Sequence, residues 1–230
     1  MNDFLQISLF FGAVISLLAY EFGLILKKKF KLAVLNPLLI AVICVIGVTQ
    51  VLHIDYKTYN ESAKYISYLL TPATVCLAVP LYEQLHLLRK NVKAVISGLL
   101  AGVIASMGGV WVCAKIFGLN HQEYVTLLPK SITTAIGMGV SEELGGIVTI
   151  TVAAIVITGI LGNVIADVVF RVFGIHDPVA RGLALGNSAH AIGTARAMEL
   201  GEIEGAMSSL AIAVAGLLTV LGASFFAQIG

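Results

Sequence analysis

Charged side chains are scarce here. Asp, Glu, Lys and Arg make up 12% of the 230 residues, against about 25% in an ordinary soluble domain. With 58% hydrophobic residues, that scarcity excludes a soluble globular domain and leaves a polytopic membrane protein, all-α in class. The formal net charge is only +1, and no basic tract interleaved with aromatics occurs, so no nucleic-acid partner is expected. Cysteine is sparse as well. Cys44, Cys76 and Cys113 lie in apolar stretches, are odd in number and show no metal spacing. They read as small buried residues, and neither a metal nor another cofactor is expected. There is no H-E-x-x-H, no G-x-S-x-G and no Walker loop. Gly137-Met138-Gly139 lacks both the preceding strand and the third glycine of a dinucleotide fingerprint. The chain therefore does not read as an enzyme; a hydrolytic pair of a serine with His190 has no spacing in its favour.

What the chain does have is long apolar runs, each near the 20 residues that a bilayer crossing needs. Phe4 to Leu26 is the first, followed by Lys27, Lys28, Lys29 and Lys31. The start has no basic region, so the first helix is expected to insert with its N-terminus outside and the lysine loop in the cytoplasm. Leu32 to Leu52 crosses back and carries Asn36-Pro37, where a proline leaves a carbonyl without its helical donor. Tyr65 to Leu88 crosses inward and is closed by Arg89, Lys90 and Lys93. Val92 to Phe117 crosses outward, rich in Gly and Ser that let helices approach closely. Residues 128–146 are short for a crossing and read as a re-entrant element in a cell membrane. Ile147 to Val172 runs inward, Arg181 to Gly201 outward, and Ile203 to Gln228 returns, which puts the C-terminus in the cytoplasm. The count is about seven crossings plus one re-entrant piece in a single transmembrane domain, 1–230.

Two stretches are too polar or too broken for plain helices in lipid. Arg181 to Gly201 carries Asn187, Ser188, His190, Thr194, Arg196 and Glu199 among Gly and Ala; Leu70 to His86 carries two prolines and Glu83. Broken backbone at membrane depth is tolerated only under protein or beside a water-filled cavity, and polar groups there point to a site or pathway. The two stretches match at one offset that takes Ala73 to Ala189, Thr74 to His190 and Glu83 to Glu199. This predicts two discontinuous helices in an inverted repeat, 32–117 and 147–228, a recurring secondary-transporter plan.

The polar residues then become candidates. Lys130 and Arg196 are the cations placed to hold a carboxylate, or else to pair with Glu142, Glu143 or Glu199. Ser131, Thr133 and Thr134 offer hydroxyls to a ligand, or cap a helix. Asn36, Thr71, Thr74, Asn187, Ser188, His190 and Thr194 complete the expected binding set. His190 carries protons or is a hydrogen-bonded structural histidine; with Glu83 and Glu199 it forms the expected ion-coupling set, although both glutamates could be interfacial.

Three stretches carry a resemblance: T-P-A-T-V-C-L-A-V-P-L-Y-E-Q-L at 71–85, L-P-K-S-I-T-T at 128–134 and A-R-G-L-A-L-G-N-S-A-H-A-I-G-T-A-R-A at 180–197. The chain resembles the LrgB/CidB family along essentially its whole length. That family includes antiholin-like proteins, regulators of murein hydrolases and the membrane domain of the plastid glycolate/glycerate translocator, and some members are linked to pyruvate uptake. The resemblance implies a carrier of small monocarboxylates such as pyruvate, glycolate, glycerate or lactate, coupled to protons or sodium. The family's naming suggests, as the alternative, a holin-like or antiholin-like protein that modulates murein hydrolase activity and autolysis. A small LrgA/CidA-type membrane partner and a homo-oligomer are expected with either. Ser141-Glu142-Glu143 departs from the smaller, less acidic residues expected in relatives.

Overall fold

The computed structural model describes residues 10–30, 35–69, 72, 75–76, 78–83 and 85–230. The described residues are all-helical, with no strand. They fall into two compact units, Met1–Cys76 and Leu77–Gly230.

The first unit holds α1 (Phe11–Phe30), α2 (Pro37–Val51) and α3 (Tyr56–Ser67), with α1 packed on both others. The Gly12 amide donates to Ser62 Oγ at 2.9 Å, and the Ser16 and Tyr59 hydroxyls pair at 2.7 Å. Asn36 and Pro37 start α2 rather than break it. The Asn36 side chain accepts from the amides of Leu38 (2.8 Å) and Leu39 (3.2 Å). Pro37 sits at the first turn, where its missing N–H costs nothing.

The second unit holds α4 (Ala78–Glu83), α5 (Leu85–Lys90), α6 (Val92–Phe117), α7 (His121–Leu127), α8 (Thr134–Glu143), α9 (Val148–Val172), α10 (Pro178–Leu200) and α11 (Glu202–Ile229). Three of these, α6, α9 and α11, are long and apolar enough to cross a membrane. They keep large apolar side chains on the outside, among them Ile96, Ile104, Ile157, Val168, Leu221 and Phe225. That is a surface suited to lipid, not water. This chain is a membrane protein.

Helix α6 serves as a ruler for the unit. Its Val92 end packs with Leu183 of α10 and with Ala206, Met207 and Ala211 of α11. Its Phe117 half packs with Ala215, Ala223 and Ala227 of α11, and Trp111 Nε1 donates to the Ile229 carbonyl at 2.8 Å. So α11 runs the same way as α6. Buried alanines along this seam (Ala206, Ala211, Ala215) let the helices come close, which is how packing holds helices together in lipid.

Between the spans lie two helical hairpins that point at each other. The first enters from the Phe117 end. A left-handed Gly118 stops α6, and an Asn120–Glu123 capping box starts α7. The chain turns at Pro129-Lys130-Ser131 and returns through α8. Its two ends meet: Gln122 Nε2 donates to the Gly145 carbonyl (3.3 Å), and the Ile147 amide donates to Thr126 Oγ1 (2.8 Å). The buried Thr151 hydroxyl ties this base together, bonding the Thr126 carbonyl at 2.8 Å and Ser141 Oγ at 2.7 Å. The segment expected to be re-entrant, 128–146, is thus the turn and returning arm of a hairpin whose first arm begins at His121.

The second hairpin enters from the Val92 end and is α10 itself. Asp177 and Pro178 start it, with Asp177 accepting from the Ala180 amide at 2.9 Å. The helix breaks at His190, where φ is 41° and ψ −133°. Beyond the break the chain doubles back. Gly186 and Thr194 both lie against Ser208 of α11, and Gly182 and Met198 lie beside Met207 and Gly205 in turn. Leu185 and Ala197 share one buried cluster with Ala166 and Phe170 of α9.

This corrects two expectations. Arg181 to Gly201 does not cross; both its ends lie at the Val92 end of α6. The last helix therefore does not return, and α6 and α11, expected to run oppositely, run together. Length and polarity cannot separate a broken crossing from a hairpin, because both present about 20 residues interrupted once. The other half of the proposed repeat, Ala73 and Thr74, lies outside the described residues.

Candidate functional site

The tip of the first hairpin presents Lys130 and Ser131 toward the middle of α6. Ser106 Oγ donates to Ser131 Oγ at 2.8 Å, and Lys130 Nζ donates to the same oxygen at 3.1 Å. An oxygen that accepts two bonds still has its own hydroxyl proton to give. An ammonium has three donors, and Ser131 takes one. Among the described residues, no carboxylate lies within ion-pair distance of Lys130. The tip thus offers a positive charge and a hydroxyl donor from adjacent residues.

The tip of the second hairpin presents Asn187 and Ser188. Asn187 Nδ2 donates to the Leu99 carbonyl at 3.1 Å, which hooks the tip onto α6. Gly102 permits that approach: a methyl group there would occupy the place of the Asn187 amide nitrogen. Leu99, Gly102 and Ser106 lie on successive turns of α6. The two tips therefore sit within roughly 10 Å of each other along the helix, at 1.5 Å per residue.

Both tips open onto one cavity of about 960 Å³. Asn91 and Asp177 lie at its mouth, at the Val92 end. Gly98, Gly102 and Ser106 line one wall, and Leu161, Gly162 and Ile165 of α9 line the other. Lys130, Ser131, Thr158 and Ser188 line the end nearer the Phe117 half. Beyond them the Phe117 half of the unit is packed solid by Met107, Tyr124, Val125 and Leu128. The cavity thus runs as a funnel along α6 from Asn91 and Asp177 to Lys130, the one lysine among its described lining residues, with an exposed flank at Leu161 and Ile165.

Of the predicted site residues that are described, Lys130, Ser131, Asn187 and Ser188 line this cavity, and the others do not. Thr133 and Thr134 begin α8, where Thr133 makes no side-chain cap bond. Thr194 is buried on the far side of the second hairpin, its hydroxyl donating to the His190 carbonyl (3.0 Å) and paired with Ser208 (2.7 Å). His190 is 4% exposed, with Nε2 3.0 Å from the Ile155 carbonyl. A carbonyl can only accept, so Nε2 carries the proton. Arg196 is turned away from the cavity and pairs at 2.6 Å with both Asp167 and Glu199. That arrangement is the pairing alternative, and it leaves Lys130 as the cation at the cavity floor. Asn36 caps α2, Glu83 is exposed at the end of α4, and Thr71 and Thr74 lie outside the described residues.

Sequence reasoning missed Ser106, Thr158 and Asp177 as lining residues, and the pairing of the two hairpins. The signal for that pairing is present. Ala135-Ile136-Gly137, five residues, then Glu143-Leu144-Gly145 forms the returning arm of the first hairpin. Ala191-Ile192-Gly193, five residues, then Glu199-Leu200-Gly201 forms that of the second.

Comparison with known proteins agrees in extent with the whole described fold. Residues 16–229 match the LrgB-like family. The holin-like protein CidB of Staphylococcus epidermidis is 37% identical over 219 residues, covering 95% of each chain. The antiholin-like protein LrgB of Bacillus mycoides is 37% identical over 213 residues, covering 92% of this chain and 93% of its own. The antiholin-like LrgB of Bacillus cereus matches to the same extent. No solved structure matches. With its family match spanning both hairpins and all three long helices, the chain belongs to the LrgB family.

Proposed function

We propose that this protein is a secondary transporter of small monocarboxylates of the pyruvate, lactate, glycolate or glycerate type. The observation that carries the reading is the funnel ending on Lys130, between the tips of two hairpins that enter from opposite ends. Paired discontinuous elements of inverted sense around a mid-membrane site are a plan that secondary transporters share. The repeated Ala-Ile-Gly and Glu-Leu-Gly arms suit an inverted repeat of hairpin plus span, 121–172 and 178–229. A single lysine matches a single carboxylate, and the Ser131 hydroxyl and Asn187 amide suit a neighbouring oxo or hydroxy group.

Orientation follows from charge. Arg89, Lys90, Lys93, Arg171 and Arg181 cluster at the Val92 end, which the positive-inside rule makes cytoplasmic. The funnel then faces the cytoplasm, and α11 ends outside, not inside as first expected. In this reading the protein sits in the cell membrane and the first unit adds further crossings to the three of the second. It works as a homo-oligomer or beside a small LrgA/CidA-type protein. The test is purified protein in liposomes with labelled pyruvate, lactate, glycolate and glycerate. Saturable uptake of at least one, lost in Lys130→Ala, supports the carrier.

The names of the relatives speak more directly for a second reading, a holin-like or antiholin-like protein that modulates murein hydrolase activity and autolysis. Polarity confined to two hairpin tips favours a local site over a continuous pore. The same liposomes separate the two readings, since a pore releases an entrapped dye such as calcein and a carrier does not.

A further inference from the structure

We infer that Lys130 is not only the anion contact but also the proton-binding site that couples transport. This rests on the carrier reading above. Lys130 is bordered by α6, α9, α10 and its own hairpin. From α6 it is faced by Ser106 and, toward the Phe117 end, by the Cys113 thiol. From α9 it is faced by Thr158, Leu161 and Gly162, none of which titrates. From α10 it is faced by Asn187 and Ser188, with Asp177 at the distant mouth of the cavity, where it caps its own helix. Its own hairpin contributes buried Leu128, Pro129 and Ile132; Glu142 and Glu143 lie exposed at the other end of that hairpin. No carboxylate among the described residues neutralises it where it stands.

The other titratable candidates of this unit lie away from the floor of the funnel. Asp167 and Glu199 are held by Arg196. The His190 ring is fixed on a carbonyl outside the cavity. Glu83 is exposed, and Glu204 lies at the outer end of the second hairpin, against Gly201. Among the described residues, Lys130 alone stands both at the floor of the funnel and without a counter-charge.

A bare ammonium in a water-poor site costs several kcal/mol. Two states escape that cost: the ammonium paired with a bound carboxylate, and the neutral amine with no ligand. An empty carrier that closes its funnel must therefore first release the proton from Nζ to water in the cavity. A loaded one closes with proton and anion together, net neutral. By linkage the anion raises the affinity of Nζ for its proton, and the proton raises that for the anion by the same factor. The result is electroneutral co-transport of one proton with one monocarboxylate. Lysine can do this and arginine cannot, because a guanidinium does not deprotonate.

The test uses the full-length protein in liposomes with labelled pyruvate, an entrapped pH dye, and potassium with valinomycin to set the voltage. Pyruvate uptake should acidify the interior by one proton per pyruvate, follow an imposed pH gradient, and ignore the voltage. Lys130→Arg should lower both exchange and net uptake, but net uptake by at least about tenfold more, since only net uptake needs the empty carrier to return. Uptake without acidification, uptake driven by voltage or sodium, or equal losses in Lys130→Arg would overturn the assignment. If Lys130→Arg does not fold, the wild-type dye signal still decides. If none of the four acids is taken up, the carrier reading itself fails, and this inference with it.

Discussion

Nε2 of His190 lies 3.0 Å from the carbonyl oxygen of Ile155, and that bond fastens the turn of the second hairpin to α9. The turn residue itself is held at φ 41°, a region that a residue with a Cβ occupies only under constraint. Two effects can be separated here. His190→Ala and His190→Gly both lose the ring bond, but glycine accepts the backbone. We expect both variants to unfold at lower temperature than wild type in detergent, with Ala the worse by about 1 kcal/mol. His190→Gln should keep the wild-type pH profile of uptake, because this ring does not reach the funnel. An Ala variant as stable as Gly would mean that the turn is not strained. A flattened profile in His190→Gln would return the proton to His190.

Gly102 and Gly98 stand one turn apart on the same side of α6, and they provide an internal control. A methyl group at Gly102 would displace the Asn187 amide from its bond to Leu99. At Gly98 it would meet only Leu183 Cδ1 at 3.7 Å, an ordinary contact. Gly102→Ala is therefore expected to destabilise the protein by about 1–3 kcal/mol and to impair uptake. Gly98→Ala should be close to neutral, because Ala is also the better helix former. Thermal scans of the two purified variants check this; equal midpoints would remove the hook between α6 and the hairpin tip.

These residues also show what a reader of the sequence could and could not see. A break within Arg181 to Gly201 is legible as a polar run among glycines and alanines, because such a run has no stable place in lipid; its position at His190 is not. The Lys130 turn was visible because Pro129 and Lys130 open a segment too short to cross. The direction of the chain after His190 was not visible. Reversal depends on Gly186 and Thr194 both finding Ser208, a tertiary fact that hydropathy does not encode. The choice between anion site and ion pair at Arg196 stays open in the sequence for a similar reason. Its partner Asp167 lies 29 residues away on α9, and only the fold brings them together. The one sequence signal that does encode the hairpin pair, the repeated Ala-Ile-Gly and Glu-Leu-Gly, is short.

Arg196 bridges Asp167 of α9 and Glu199 of its own arm, and so pins the returning arm to the span. All three are partly exposed, so the pairs are screened and each is worth about 1 kcal/mol or less. Arg196→Ala should lower stability by that order and leave the concentration dependence of uptake near wild type, unlike Lys130→Ala. A double-mutant cycle with Asp167→Asn should show that the two losses do not add. Additive losses would mean that the ion pair contributes nothing. A large rise in KM for Arg196→Ala would restore it to the anion site.

The opposed hairpins make opposite accessibility demands, which is the sharpest check on the orientation. Ala184 is exposed in the funnel, near the Val92 end, whereas Glu142 is exposed at the base of the first hairpin, near the Phe117 end. In a background with Cys44, Cys76 and Cys113 replaced by alanine, a membrane-impermeant thiol reagent should label Ala184→Cys only in inside-out vesicles. It should label Glu142→Cys only in intact cells. The reverse pattern would flip the molecule in the membrane and place the funnel outside. Labelling of both from one side would mean that the hairpins do not enter from opposite faces, and the carrier architecture would fail with them. Saturating pyruvate should also slow the labelling of Ala184→Cys but not that of Glu142→Cys. Only the first lies on the path between bulk water and Lys130, and a ligand seated there would block the reagent by occupancy alone.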